Sequence, residues 1–129
     1  LQVVAAINAV TKGTFMEQIE RYAAGEYAET MRPVVAKLRE LTVKFSEMVA
    51  RVEAGDKECA GFKDFHARRL VEMAGYTIIG YLLLQDAQKC DKYVKSAEIF
   101  INYGKAKVAA HDEMINSFNP DKLGIYKKN

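Results

Sequence analysis

The stretch MAGYTIIGYLLL, residues 73–84, contains no charged side chain and carries two glycines five positions apart. Its reading decides the fold. A helix that crosses a membrane needs about 20 consecutive apolar residues. Here the uncharged run is 12 residues long, closed by Glu72 on one side and Gln85-Asp86 on the other, so a membrane span is excluded. A soluble helix that is apolar on every side must be covered on every side, yet a small bundle covers one stripe of each helix. The stretch therefore reads as the centre of a long helix with apolar surface to spare. Either a partner surface covers the excess or the N-terminal segments of the chain fold over it.

On both sides of this stretch the apolar residues recur at the 3-4 spacing of a helix face. Upstream, Val34, Leu38, Leu41, Phe45, Met48 and Val52 form one seam, with Glu40–Lys44 and Glu47–Arg51 as i,i+4 pairs on the polar side. Thr30 is the expected N-cap, with Pro33 in the first turn, where its missing N–H costs nothing. Gly55 in AGDK is the expected C-cap. The middle helix runs its seam through Met73, Thr77, Gly80, Leu84 and Ala87; the last runs through Ala97, Ile101, Gly104, Val108, His111, Ile115 and Phe118. That helix should end before Asn119-Pro120, because the residue preceding a proline avoids helical geometry. The expected long helices are 30–53, 60–89 and 92–118, with DKLGIYKKN as a tail.

Two shorter segments precede them. LQVVAAINAV places Val3, Ile7 and Val10 on one face, and Thr14 caps FMEQIERYA, whose face is Phe15, Ile19 and Tyr22. Long stripes joined by short connections make an all-α, antiparallel helical bundle, one domain over residues 1–129. Within it, Gly75, Gly80 and Gly104 are the expected points of close helix packing. Tyr76, Ile79 and Leu83, at intervals of 3 and 4, form an outward ridge that is the expected interface.

Composition agrees with this and narrows the function. Of 129 residues, 28% are charged and the net charge is +2, with only two prolines and eight glycines to punctuate the chain. No run of five basic residues exists, and KCDKYVK (89–95) is broken by Asp91, so it reads as a solvated helix junction. An electrostatic footprint for nucleic acid is missing. Cys59 and Cys90, if joined by one helix, would stand roughly 46 Å apart at 1.5 Å per residue, too far to pair. Free thiols suit a reducing cytoplasm.

The chemistry of known sites is not spelled in the chain. His66 follows Lys63 and His111 follows Val108 at the i−3 position, so neither completes the Glu-x-x-His pair of a helical metal site. His111 reads as a hydrogen-bonded core histidine on the seam, and His66, beside Arg68 and Arg69, as an exposed one. Adjacent residues in HDE (111–113) point around the helix and cannot converge on a substrate. There is no G-x-S-x-G, no G-x-G-x-x-G and no phosphate loop. No catalytic, cofactor-binding or metal-binding residue is expected in this segment.

Two stretches carry a likeness. FHARRLVEMAGYTIIGYLLLQDAQK (65–89) followed by YVKSAEIFINYGKAKVAAHDEMINSF (93–118) resembles the helical C-terminal domain appended to a subset of bacterial acyl-CoA dehydrogenases. The carrying features are Gly75 and Gly80 around an apolar tetrapeptide, Tyr81 where the family often has tryptophan, the leucines after it, and IFINYGKAK leading to Ala109-Ala110. GTFMEQIERYA resembles the short helix that opens this domain, and LQVVAAINAV the tail of the helix before it. The resemblance implies a non-catalytic domain excised from the C-terminus of a longer flavoprotein. The parent would be an FAD-dependent oxidoreductase acting on an acyl-CoA thioester, with catalytic and flavin residues in the upstream core. It implies contacts with that core or with a second subunit in a homo-oligomer. Two other readings remain at this stage. One is a free-standing interaction module. The other is a small bundle holding an apolar ligand beside Gly75, Gly80 and Gly104.

Overall fold

The computed structural model describes residues 13–122. Among these there are no strands. The elements are α1 (Gly13–Ala23), a 3-10 turn (Glu29–Met31), α2 (Arg32–Glu58), the single turn α3 (Phe62–Phe65), α4 (Ala67–Lys89), a second 3-10 turn (Asp91–Tyr93) and α5 (Val94–Ser117). Helices α2, α4 and α5 pack on one another, and α1 lies across α2 and α4. LQVVAAINAV and most of DKLGIYKKN lie outside the described residues.

The seams read from spacing are the core. Val34, Leu38, Leu41, Phe45, Met48 and Val52 on α2 are all buried, as are Met73, Thr77, Gly80, Leu84 and Ala87 on α4. On α5, Ala97, Ile101, Gly104, Val108 and Ile115 are buried. His111 is not part of that core. Its ring sits at the edge facing α4, with Nε2 2.7 Å from the Glu72 carboxylate. The two carboxylates on α2 and α5 also reach across: Lys44 pairs with Asp112 at 3.2 Å, and Lys105 with Glu40 at 3.9 Å. The expected i,i+4 partners Glu40 and Lys44 thus tie α2 to α5, at a surface where each pair contributes little.

Three helix boundaries differ from the reading of the sequence. The expected helix 60–89 is broken at His66 into the single turn α3 and the long α4, which starts at Ala67. Helix α2 does not stop at Gly55. It runs through it to Glu58, and Gly55 is buried inside the helix. A side chain there would place its Cβ 2.5 Å from the Phe62 ring, so the glycine is a socket for that ring. The reversal comes six residues later at Gly61, whose φ of 96° is left-handed and suits glycine. Asp56 Oδ1 holds the turn by accepting from the N–H groups of Gly61 and Lys63 at 3.2 and 3.1 Å. At the other end, Thr30 is not the N-cap. The 3-10 turn leads straight into α2, Met31 caps it without a side-chain bond, and Pro33 occupies the first turn.

Helix α1 is tied at its C-terminal end. Arg39 of α2 donates from Nε to the Ala23 carbonyl at 2.8 Å and from Nη2 to the Gly25 carbonyl at 3.1 Å. Cationic donors on the last carbonyls of a helix satisfy groups that have no partner within it. Ile19 is fully buried beneath α1, Phe15 meets Phe45 edge-on at 6.3 Å, and Tyr22 stacks on Tyr81 at 6.0 Å. Tyr81 is itself fully buried, and its hydroxyl pairs with that of Thr42 at 2.6 Å. The Thr42 hydroxyl also reaches the Leu38 carbonyl at 2.9 Å, so no polar atom in this layer is stranded.

Candidate interaction surface

The faces of α4 have different fates. On the inner face, Gly80 lets α2 come close: a Cβ there would lie 2.8 Å from Leu38 Cδ1 and 3.6 Å from Ile101. Gly104 on α5 does the same for Tyr76, whose Cβ would be 3.3 Å from the added atom. Gly75 does not take part. Nothing lies within 4 Å of its would-be Cβ, because it points away from both neighbouring helices. Close packing thus involves Gly80 and Gly104, with Gly55 as a third contact that the spacing did not suggest. No room for a ligand remains beside Gly80 or Gly104, since Leu38, Ile101 and Tyr76 fill it.

The expected ridge is more structured than a row of outward side chains. Tyr76 leans over Gly104, with its ring 6.0 Å from Phe100 and 5.9 Å from Tyr103. It is the half-buried floor of a patch and not its crest. Burial raises its phenol above the usual tyrosine value, with Tyr103 and Glu72 adding to the effect. Leu83 is half-buried and packs against the core; Ile79 is 44% exposed. Sequence reading missed the α5 side of the same patch, where Ile99 is 62% and Tyr103 54% exposed. Their signal was the offset of Ile99 and Tyr103 from the Ala97–Ile101–Gly104 seam, which leaves them nowhere to be buried. Polar groups rim one end: Lys107 lies over the Tyr103 ring at 5.4 Å, and the Glu72–His111 pair sits beyond it.

Helix α1 does not cover this patch. It packs on Tyr81, which lies across α4 from Ile79. Elsewhere, a surface cleft of about 410 Å³ opens over Phe62 and is lined by Arg51, Glu58, Asn119 and Asp121. A narrower one of about 190 Å³ lies between α2 and α5, beside the Lys44–Asp112 pair. Among the described residues no group of three or more His, Cys, Asp or Glu side chains is placed to hold a metal ion. Cys59 and Cys90 are free thiols at opposite ends of the segment formed by α3 and α4. No helix among the described residues is long and apolar enough to cross a membrane.

Residues 11–123 match the family model for the acyl-CoA dehydrogenase C terminal. No curated protein matches the chain. The crystal structure of an acyl-CoA dehydrogenase family protein from Porphyromonas gingivalis is similar, with a TM-score of 0.80 and 32% sequence identity. The match covers 90% of this chain and 99% of that one. The chain belongs to the acyl-CoA dehydrogenase C-terminal family.

Proposed function

We propose that the chain is the non-catalytic C-terminal domain of an FAD-dependent acyl-CoA dehydrogenase. Its work is to pack against the catalytic core or to join subunits of a homo-oligomer. The observation that carries this reading is the family match over residues 11–123. The patch of Ile79, Leu83, Tyr103 and Ile99 supports the contact role. Apolar surface that is contiguous over two helices and rimmed by polar groups is characteristic of docking sites.

The flavin belongs to the core on this reading. On this reading no redox step falls to a side chain of this bundle. In the whole enzyme, α-proton removal and hydride transfer from the acyl-CoA fall to groups upstream of this segment.

The test is to read the gene on both sides of the segment and to purify its full product. A flavoprotein core in frame ahead of Leu1, with flavin absorbance and oxidation of an acyl-CoA by an artificial electron acceptor, is the expected result. Ile79→Glu with Ile99→Glu should then weaken assembly of the full protein. A start codon directly before Leu1 would sink the proposal and leave a free-standing interaction module as the reading.

A further inference from the structure

His66 was expected at the surface and is instead fully buried. It occupies the break between α3 and α4, with φ −97° and ψ 7°. The Phe62 and Phe65 rings meet it edge-on at 4.7 and 4.9 Å. Nε2 lies 3.0 Å from the carbonyl oxygen of Phe118, just past the last residue of α5, and Nδ1 lies 3.5 Å from Arg69 Nη1. A carbonyl can only accept, so Nε2 carries the hydrogen. A guanidinium can only donate, so Nδ1 presents its lone pair. Both neighbours therefore select one neutral tautomer.

We infer that His66 is a neutral-imidazole latch, fastening the C-terminal end of α5 to the α3–α4 break and releasing it on acidification. A second proton would have to go on Nδ1, where it would face a donor that is already cationic. Among the described residues the charged groups acting on the ring are Arg69 on its own helix and Arg51 from α2. Helix α3 faces it with aromatic rings, and α5 with the Phe118 carbonyl. Burial first, and then the two arginines, hold its pKa below the ordinary 6.5, although the Phe118 carbonyl acts in the opposite sense. The opened form consequently binds more protons than the closed one. The latch is at full strength above the ordinary histidine pKa and weakens as pH falls through the lowered value.

Opening should be local. Phe118 is half-buried just past the end of α5, where it meets the Phe65 ring at 5.7 Å and gives its N–H to the Met114 carbonyl, among other contacts. Moving it aside frees His66 without disturbing the Leu38–Gly80 or Tyr22–Tyr81 contacts. It would uncover the buried Phe62 ring beside the cleft that holds Arg51 and Asp121. This inference does not depend on the proposed role in an acyl-CoA dehydrogenase.

Nuclear magnetic resonance on the 129-residue chain tests it. The imidazole nitrogen shifts at neutral pH should report the Nε2–H tautomer, with protonation below the ordinary histidine pKa. Amide hydrogen exchange, corrected for the intrinsic rate, should lose protection at 114–118 and 66–70 between pH 7.5 and pH 5. The loss should be about tenfold for each pH unit below the unfolded pKa until the folded pKa is reached, while amides around Leu38 and Phe45 keep theirs. His66→Gln keeps a donor for Phe118 but cannot titrate, and should abolish the pH dependence. An Nδ1–H tautomer, an equal loss in the variant, or a uniform loss across the bundle would overturn the latch. If the variant does not fold, the unmodified chain decides. An imidazole that protonates at or above its ordinary pKa with protection at 114–118 unchanged would overturn it as well.

Discussion

Gly75 and Gly80 stand five residues apart on one helix, in a stretch with a single composition, and the bundle treats them in opposite ways. Gly80 is buried, and Leu38 occupies the place of its side chain. Gly75 meets nothing. The inner face of α4 is a close-packed seam with Tyr81 hydrogen-bonded at its heart. The outer face carries Ile79 and Leu82 into solvent and continues onto α5 through Tyr103 and Ile99. A glycine inside a helix costs roughly 1 kcal/mol relative to alanine. At Gly80 close packing offsets that cost, and at Gly75 nothing within the bundle does. An uncharged stretch is thus two surfaces, one for folding and one left over.

The largest test of this contrast is Leu38→Ala. It empties the volume above Gly80 and should cost about 2–5 kcal/mol in chemical denaturation, the range for buried leucine truncations. Gly80→Leu added to Leu38→Ala should return part of the loss, whereas a further penalty would show that the two positions do not share one space. Gly55→Ala comes next. The added methyl meets the buried Phe62 ring at 2.5 Å, and overpacking at about 1–3 kcal/mol exceeds the roughly 1 kcal/mol gained in helix propensity. A modest net destabilisation is expected, and an increase in melting temperature would remove the socket assignment. Gly75→Ala should go the other way and stabilise by about 0.5–1 kcal/mol, with no neighbour to displace. A destabilised Gly75→Ala would erase the contrast.

Spacing made the seams legible because a helix face repeats at 3 and 4 whatever it packs on. Val34 through Val52 and Met73 through Ala87 could be placed without knowing their partners. What spacing could not supply were features settled by contacts across the fold. Gly55 before Asp56-Lys57 has the appearance of a helix stop; only the Phe62 ring returning into it reveals a helix that continues. His66 beside two arginines has the appearance of a surface residue, and its burial depends on Phe118, 52 positions away. His111 fell in a seven-residue seam, yet its ring lies at the edge of the α4–α5 contact, paired with Glu72. Tyr76 shared a helical row with Ile79, yet the vacancy at Gly104 drew it inward. The interface was legible as an excess of apolar residues on α4, while its α5 half required knowing which helix lies beside which.

The smallest effect on stability, and the one that bears most on function, belongs to the outer face. Ile79 and Ile99 are exposed on neighbouring helices, so replacing each with glutamate should change the unfolding free energy by about 0.5 kcal/mol or less. Helicity by circular dichroism should stay the same. Leu83 is a poorer probe, because it packs against the core and its loss would mix folding with docking. The informative measurement is mass in solution, by sedimentation or light scattering, over a range of concentrations. If the patch joins two copies, the unmodified chain should self-associate and the double variant should be monomeric. If the patch docks on a catalytic core, the variant should loosen the full protein while leaving the bundle folded, whatever the size of the isolated chain. Should the double variant unfold, Ile79 and Ile99 belong to the stability of the bundle, and the division of α4 into a folding face and a docking face fails. Should it fold, and neither the chain nor the full protein change its assembly, the apolar surface between α4 and α5 is not an interface.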